Sequence, residues 1–247
     1  MLDRFFIEEH IKKALQEDIG FGDITTDYLT DTDDVMTCTL NSRTDGIFCG
    51  REVFETVFKI LSDKIEITFY KNDGDKISKG DEIADLKGPA RYILMGERTA
   101  LNYVQRMSGI ATETFKYQSA IGEYKAKIVD TRKTTPLFRA FEKYAVKTGG
   151  GSLHRFNLSD CAMIKDNHIK YAGSLTNAIE KLRKNISHAH KIEVECDTIE
   201  QVKEAVKCRA DIIMLDNMNI ETMKECVKII NGSAIVEASG NVNLLTD

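Results

Sequence analysis

The chain's apolar positions follow two rhythms. Within residues 5–16, Ile7, Ile11 and Leu15 recur every fourth position, and Glu8–Lys12 and Glu9–Lys13 are placed for i,i+4 pairs, which predicts an amphipathic helix. Residues 17–26 hold two glycines and two threonines and read as a turn-rich connector. Between 35 and 90 the runs VMTCTL, GIFCG, IEITFY and EIADL predict short strands around a helix carrying Val53, Val57, Phe58 and Leu61. From Arg91 a long helical stripe (Tyr92, Met95, Leu101, Val104, Met107) takes over, and Ser108 has N-cap chemistry for a further helix. A domain boundary is therefore expected near this point, separating 1–107 from 108–247.

The second rhythm begins after Lys125. AKIVDT, CAMIKD, KIEVEC, DIIMLD and AIVEAS are apolar, β-branched runs of strand length, with helical stripes between the later ones. Thr135-Pro136 predicts a helix start, running to about Lys147 and stopped by Gly149. Thr198 and Gln201 form a capping-box pattern, and Asn219 can cap a helix holding Met223, Val227 and Ile230. Strand–helix repetition predicts parallel β/α units. The fold class expected is α/β: an N-terminal α+β sandwich-like domain followed by a β/α, TIM-like barrel. The five strands end in turn on Arg132 and Lys133, on Lys165, on Glu195, on Asp216 and on Ser239. Such ends converge on one face of a β/α barrel, where active sites are built. An open doubly wound sheet is disfavoured, because Gly149-Gly150-Gly151 follows a helix and not a strand.

Charge sharpens this picture. From Asp130 to Lys170 eight Lys or Arg face four acids, a balance of +4 in a chain of net charge −5, so the rest carries −9. A cationic island in an acidic protein suits a small, highly charged anion and not nucleic acid, which needs a broad basic face. Arg139, Lys143 and Lys147 fit ordinary solvated helix positions; Arg132, Lys133 and Lys165 end apolar runs. Arg132, Lys133, His154, Arg155 and Lys165 together suit a ligand with several carboxylates or phosphates. Glu195 and Asp216 would repel such a ligand unless they face hydroxyls or a hydrated Mg²⁺. Ser239-Gly240-Asn241 offers backbone donors for a phosphate. The N-terminal residues have no signal-type apolar core, and no apolar run approaches the roughly 20 residues that span a bilayer, so a cytoplasmic location is expected. Six cysteines and five histidines are scattered without metal spacing. The turn pattern Gly74-Asp75…Gly80-Asp81 also occurs in lipoyl and biotinyl carrier domains, but the carrier's modified-lysine tripeptide is not found.

The strings DTRKTTP, EKYAVKTGGG, HRFNLSD and IKDNH resemble the central signature of the quinolinate phosphoribosyltransferases (nicotinate-nucleotide pyrophosphorylases, decarboxylating). The segments Glu17–Thr26, Gly96–Asn102 and Ser108–Thr112 also look like the family, so the likeness spans nearly the whole chain. It implies transfer of phosphoribose from phosphoribosyl pyrophosphate to quinolinate, with loss of pyrophosphate and carbon dioxide, to give nicotinate mononucleotide for NAD synthesis. By the same resemblance Arg98, Arg132, His154 and Arg155 would hold the quinolinate carboxylates, with Thr131 assisting through its backbone. Lys133 and Lys165 would line the junction of pyridine and ribose. Glu195 and Asp216 would take ribose hydroxyls and the shell of Mg²⁺, the expected cofactor, through water. Ser239, Gly240 and Asn241 would take the 5′-phosphate. Lys133, Lys165, Glu195 and Asp216 are the catalytic candidates. Family members pair two subunits so that Arg98 completes the neighbour's site, which implies a homodimer; neither a nucleic-acid partner nor a membrane is implied. A paralogue associated with molybdenum transport shares much of the signature and stands as the alternative. In the family a helix, a final strand with a glycine turn and a C-terminal segment come after the point matching Asp247, so the last barrel unit is expected to be missing from this chain.

Overall fold

The computed structural model describes residues 2–240 and 242. Packing divides the chain into two compact units, Met1–His154 and Arg155–Asp247.

In the first unit α1 (Arg4–Ile19) starts on Asp3, whose side chain accepts from the Phe6 N–H at 3.0 Å, and buries Ile7, Ile11 and Leu15 as their spacing requires. A six-residue helix, α2 (Ile24–Leu29), opens within the expected connector; Asp23 caps it by accepting from the Thr26 N–H. Then come β1 (Val35–Asn41), β2 (Gly46–Ile47), α3 (Arg51–Leu61), β3 (Glu66–Phe69), β4 (Lys76–Ile77) and β5 (Glu82–Pro89). They build an antiparallel sheet of order β1-β5-β3 and a small β2-β4 pair. Gly50 cannot cap α3 with a side chain, so Asp73 does so from the neighbouring turn, accepting from the Gly50 and Arg51 N–H groups at 2.8 and 3.0 Å.

Helix α4 (Ala90–Ile121) runs unbroken through Ser108. Ser108 is therefore not an N-cap: its hydroxyl accepts from the Cys49 N–H and donates to the Cys49 carbonyl. Two further expectations change here. Residues 126–131 form no extended strand; Val129 makes a single parallel bridge to Ser152, which bonds to the Ile128 carbonyl and the Asp130 N–H, while the Ile128 N–H donates to the Gln118 side chain. The helix expected from Thr135-Pro136 starts later, as α5 (Arg139–Thr148), because Phe138 N–H turns back on the Thr135 carbonyl and Leu137 takes φ 63°. Phe138 and Phe141 anchor α5 among His10 and Tyr103, with ring centroids 4.8–6.1 Å apart. At its end Gly149 lies so close to α4 that a Cβ would overlap the Ala111 carbonyl, so this glycine serves helix packing.

The second unit is β6 (Ala162–Ile164), α6 (Asp166–Ala172), α7 (Leu175–Asn185), β7 (Ile192–Cys196), α8 (Ile199–Lys207), β8 (Ile212–Asp216), α9 (Ile220–Ile230) and β9 (Ile235–Ser239). Its strands form a parallel sheet in sequential order β6-β7-β8-β9, the β/α pattern expected. Thr198–Gln201 makes the predicted capping box, and Asn219 caps α9. Pairing of Ile164 with Val194 and of Glu195 with Met214 splits the strands into two faces. Ile164, Ile192, Val194, Cys196, Ile213 and Leu215 are buried in the helix-packed core. Met163, Glu193, Glu195, Met214, Asp216, Glu237 and Ser239 alternate with them and share the other face.

Candidate active site

That second face carries the chemistry of the second unit. Lys165 follows β6 as the N-cap of α6, its N–H donating to His168 Nδ1 at 3.0 Å. Its ammonium reaches across to the Glu195 carboxylate on β7 and ion-pairs with it. Neither Asp160 nor Asp166 takes it: Asp160 accepts from the Phe156 and Asn157 N–H groups, and Asp166 pairs with Lys170. Asp216 ends β8 with one oxygen accepting from the Asn217 amide at 2.7 Å. Ser239 ends β9 in register with Asp216, and its carbonyl accepts from the Asn217 N–H. Gly240 then turns at φ 93° against Asn217, where a Cβ would overlap the Asn217 side chain. Asn241 lies outside the described residues. Arg155 donates to the Cys161 carbonyl at 3.0 Å and to Met163 Sδ at 3.1 Å, which ties it to the β6 edge of the same sheet.

The first unit holds Thr131, Arg132 and Lys133 on one segment. Thr131 is exposed, and its hydroxyl accepts from the Lys133 N–H, so the Asp130–Thr135 segment is tightly turned. Lys133 is exposed, while Arg132 is half-buried with Nε making no hydrogen bond among the described residues. His154 is drawn to the root of this segment: its N–H donates to Asp130 at 2.8 Å and its carbonyl accepts from Lys143. Arg98 stands elsewhere. It is exposed on α4 and lines a groove of about 950 Å³ with β1 and the Arg43–Gly46 turn, a groove to which none of Thr131, Arg132, Lys133 or His154 contributes.

Two family models match the chain. The Quinolinate phosphoribosyl transferase N-terminal domain matches residues 23–108, and the C-terminal domain of the same family matches 110–246. The chain belongs to the quinolinate phosphoribosyltransferase family. A probable nicotinate-nucleotide pyrophosphorylase [carboxylating] of Bacillus subtilis is 41% identical over 99% of this chain and 81% of its own length. A mitochondrial quinolinate phosphoribosyltransferase [decarboxylating] 2b of Nicotiana tabacum is 38% identical over 97% and 73%. Among solved structures, NadC of Streptococcus pyogenes superposes with a TM-score of 0.96 at 39% identity, covering all of this chain and 87% of its own. The nicotinate-nucleotide pyrophosphorylase of Francisella tularensis does so at 0.93 and 38%, covering 98% and 86%. The two family domains meet between residues 108 and 110, inside α4, whereas packing divides the chain after His154.

For a member of this family, the residues that the linear pattern hides are as informative as those it exposes. Lys143, which fits a solvated helix position by sequence, is buried and bonds to the buried carboxylate of Asp130 at 2.5 Å, both side chains at most 5% exposed. Its neighbour Glu142 is buried too and accepts from Arg106, from the Thr135 hydroxyl and from the Thr135 N–H. Burial pushes the Glu142 carboxyl up, but the bonds from Arg106 and Thr135 outweigh it and hold it below its ordinary value. No helical stripe reveals these two, since α5 buries Phe141, Glu142 and Lys143 in succession. Glu193 was legible: period two in KIEVEC places it on the face of Glu195. It is fully buried, and one of its oxygens lies within 4.8 Å of one of Glu237's. Burial, and then the Glu193 charge, push the Cys161 thiol up.

Proposed function

We propose that the chain transfers the phosphoribosyl group of phosphoribosyl pyrophosphate to quinolinate and releases pyrophosphate and carbon dioxide, yielding nicotinate mononucleotide. The observation that carries this reading, in a chain of this family, is the Lys165–Glu195 ion pair at adjacent strand ends beside Asp216 and Ser239 on the same sheet face. The pyridine nitrogen displaces pyrophosphate from the ribose carbon, and pyrophosphate leaves with the bonding pair. Positive charge develops on the ribose and negative charge on the leaving group, so positioning and fixed charge dominate over proton transfer. Glu195 and Asp216 suit the cationic ribose and its hydroxyls. Lys133 and Lys165 suit the leaving group and the junction with the pyridine, while Thr131, Arg132, His154 and Arg155 suit the two acceptor carboxylates. Once the ring is a pyridinium it can accept the pair left by the departing carboxylate, and a proton then replaces carbon dioxide. Ser239 and Gly240 suit the 5′-phosphate.

Mg²⁺ fits this donor set as a hydrated ion, because Lys165 already occupies a Glu195 oxygen and Asn217 an Asp216 oxygen, so water is the natural bridge. When bound it supplies charge neutralisation on the pyrophosphate. Arg98, exposed and with no ion pair among the described residues, suits a role in the neighbour's acceptor site of a two-fold dimer. Six free cysteines fit a reducing compartment, and no helix among the described residues is long and apolar enough to cross a membrane; we place the reaction in the cytosol. One assay tests the core of the reading: quinolinate, phosphoribosyl pyrophosphate and Mg²⁺ should give mononucleotide and carbon dioxide in equal amounts. Comparable turnover of nicotinate without carbon dioxide release would overturn it.

A further inference from the structure

We infer that Glu142 and Lys143 are a pair of positioning residues that hold the two ends of the acceptor-binding segment from beneath. The inference rests on the proposed function, in which Thr131, Arg132, Lys133 and His154 meet the acceptor.

Consecutive charges on one turn of α5 reach opposite ends of that segment. Lys143 Nζ bonds to Asp130 Oδ1 at 2.5 Å and to the His154 carbonyl at 3.0 Å, and the same Asp130 oxygen accepts from the His154 N–H at 2.8 Å. One ammonium therefore fixes the residue before Thr131 and the backbone of His154 together. Glu142 fixes the far end: Oε2 accepts from the Thr135 N–H at 3.2 Å, and Oε1 accepts from the Thr135 hydroxyl at 2.9 Å and from Arg106 Nη2 at 2.7 Å. Arg106 also donates to the Thr135 hydroxyl at 3.1 Å, which ties the network to α4. Between the two anchors lie Thr131, Arg132, Lys133 and Thr134.

Three observations argue that this serves geometry and not bulk stability. Burying both Asp130 and Lys143 carries a desolvation cost that a well-packed apolar pair would avoid, so such a pair is weak evidence of stabilisation. Leu137, just past the Thr135 anchor, keeps φ 63° with an exposed side chain, a conformation that persists in a non-glycine residue only where its surroundings over-determine it. Asp130 Oδ2 and Arg132 Nε are both buried without hydrogen bonds among the described residues, so the segment tolerates unmet polar groups to keep its shape. The base under it is stiff: Phe138 and Phe141 lock α5 among aromatic rings, and Gly149 presses it on α4.

The test uses the full chain and three variants, K143M, E142Q and D130N/K143M. Trypsin cleavage after Arg132 and Lys133, followed by mass spectrometry, reports on the segment without any substrate and should run severalfold faster in K143M and E142Q. Calorimetry should show quinolinate binding weakened about tenfold or more in both, since small displacements of aligned groups are costly. Binding of phosphoribosyl pyrophosphate should weaken severalfold less than that of quinolinate, because Lys165, Glu195, Asp216 and Ser239 are independent of α5 and only Lys133 of its groups lies on the segment. D130N/K143M removes the orphaned charge, so its melting temperature should recover towards wild type while quinolinate affinity stays low. Unchanged cleavage overturns the inference whatever the ligands do. Recovery of quinolinate affinity in step with melting temperature also overturns it, in favour of a purely structural pair. If K143M does not fold, E142Q and the double variant decide the same question. Failure of the unaltered protein to bind quinolinate would remove the proposed function, and the cleavage rates would still decide whether the pair holds the segment.

Discussion

Lys165 keeps 44% of its side chain exposed in its pair with Glu195, which keeps 20%. Pairs this open contribute about 0–1 kcal/mol, so Lys165→Ala should leave the melting temperature nearly unchanged while turnover collapses. A large loss of stability with near-normal turnover in the folded fraction would assign the pair a structural role. Glu195→Gln should weaken phosphoribosyl pyrophosphate and Mg²⁺ dependence more than quinolinate binding, measured by titrating each ligand calorimetrically; equal weakening would count against the donor assignment. Because Glu195 also holds Lys165, its loss should lower turnover further than ligand affinity alone accounts for. Glu142 adds a pH prediction. Its folded pKa lies below the ordinary 4.5, so its stabilisation is complete above that value and disappears as pH falls through the folded pKa. Urea denaturation should show wild type more stable than E142Q at pH 7, with the gap closing well below pH 4.5. Of these residues, Lys165 and Glu195 were readable as strand ends. Glu142 and Lys143 were not, since burial of a charge depends on partners elsewhere in the sequence.

Helices whose caps are local behaved as their sequences imply. Thr198 accepts from the Gln201 N–H at the start of α8, and Thr198→Ala should cost about 1 kcal/mol in urea denaturation with turnover unaffected. Phe141, fully buried among His10, Tyr103 and Phe138, should cost about 3–5 kcal/mol as Phe141→Ala. Elements whose signals depend on distant partners misled. Thr135-Pro136 has the chemistry of a helix start, but Glu142 and Arg106 claim the Thr135 hydroxyl, and the helix begins at Arg139. Ser108 has the chemistry of a cap, yet Cys49 claims its hydroxyl and α4 runs on. The run at 126–131 has strand composition, but its strand-type pairing stops at a single bridge to Ser152.

At the scale of the molecule, the dimer proposal has a test of its own. Arg98→Ala and Lys165→Ala should each be nearly inactive alone. Refolded together one to one, about half the dimers are mixed and each holds one intact site, so about a quarter of wild-type activity should return. No recovery would place Arg98 within its own subunit's site. That the chain has a small mixed domain followed by parallel β/α repeats, and belongs to this family, could be determined from the sequence by itself. Period-two and period-3.6 patterns, local caps and contiguous motifs are short-range properties, written wherever the chain is read. Only the tertiary structure decided that Lys165 pairs with Glu195, thirty residues away, and that Asp130, Lys143 and His154 share one buried junction. Only it decided, too, that Gly149 lets α5 press on α4. Those outcomes depend on which side chains meet after packing, where a buried charge or a missing Cβ is settled by a neighbour that no local pattern names.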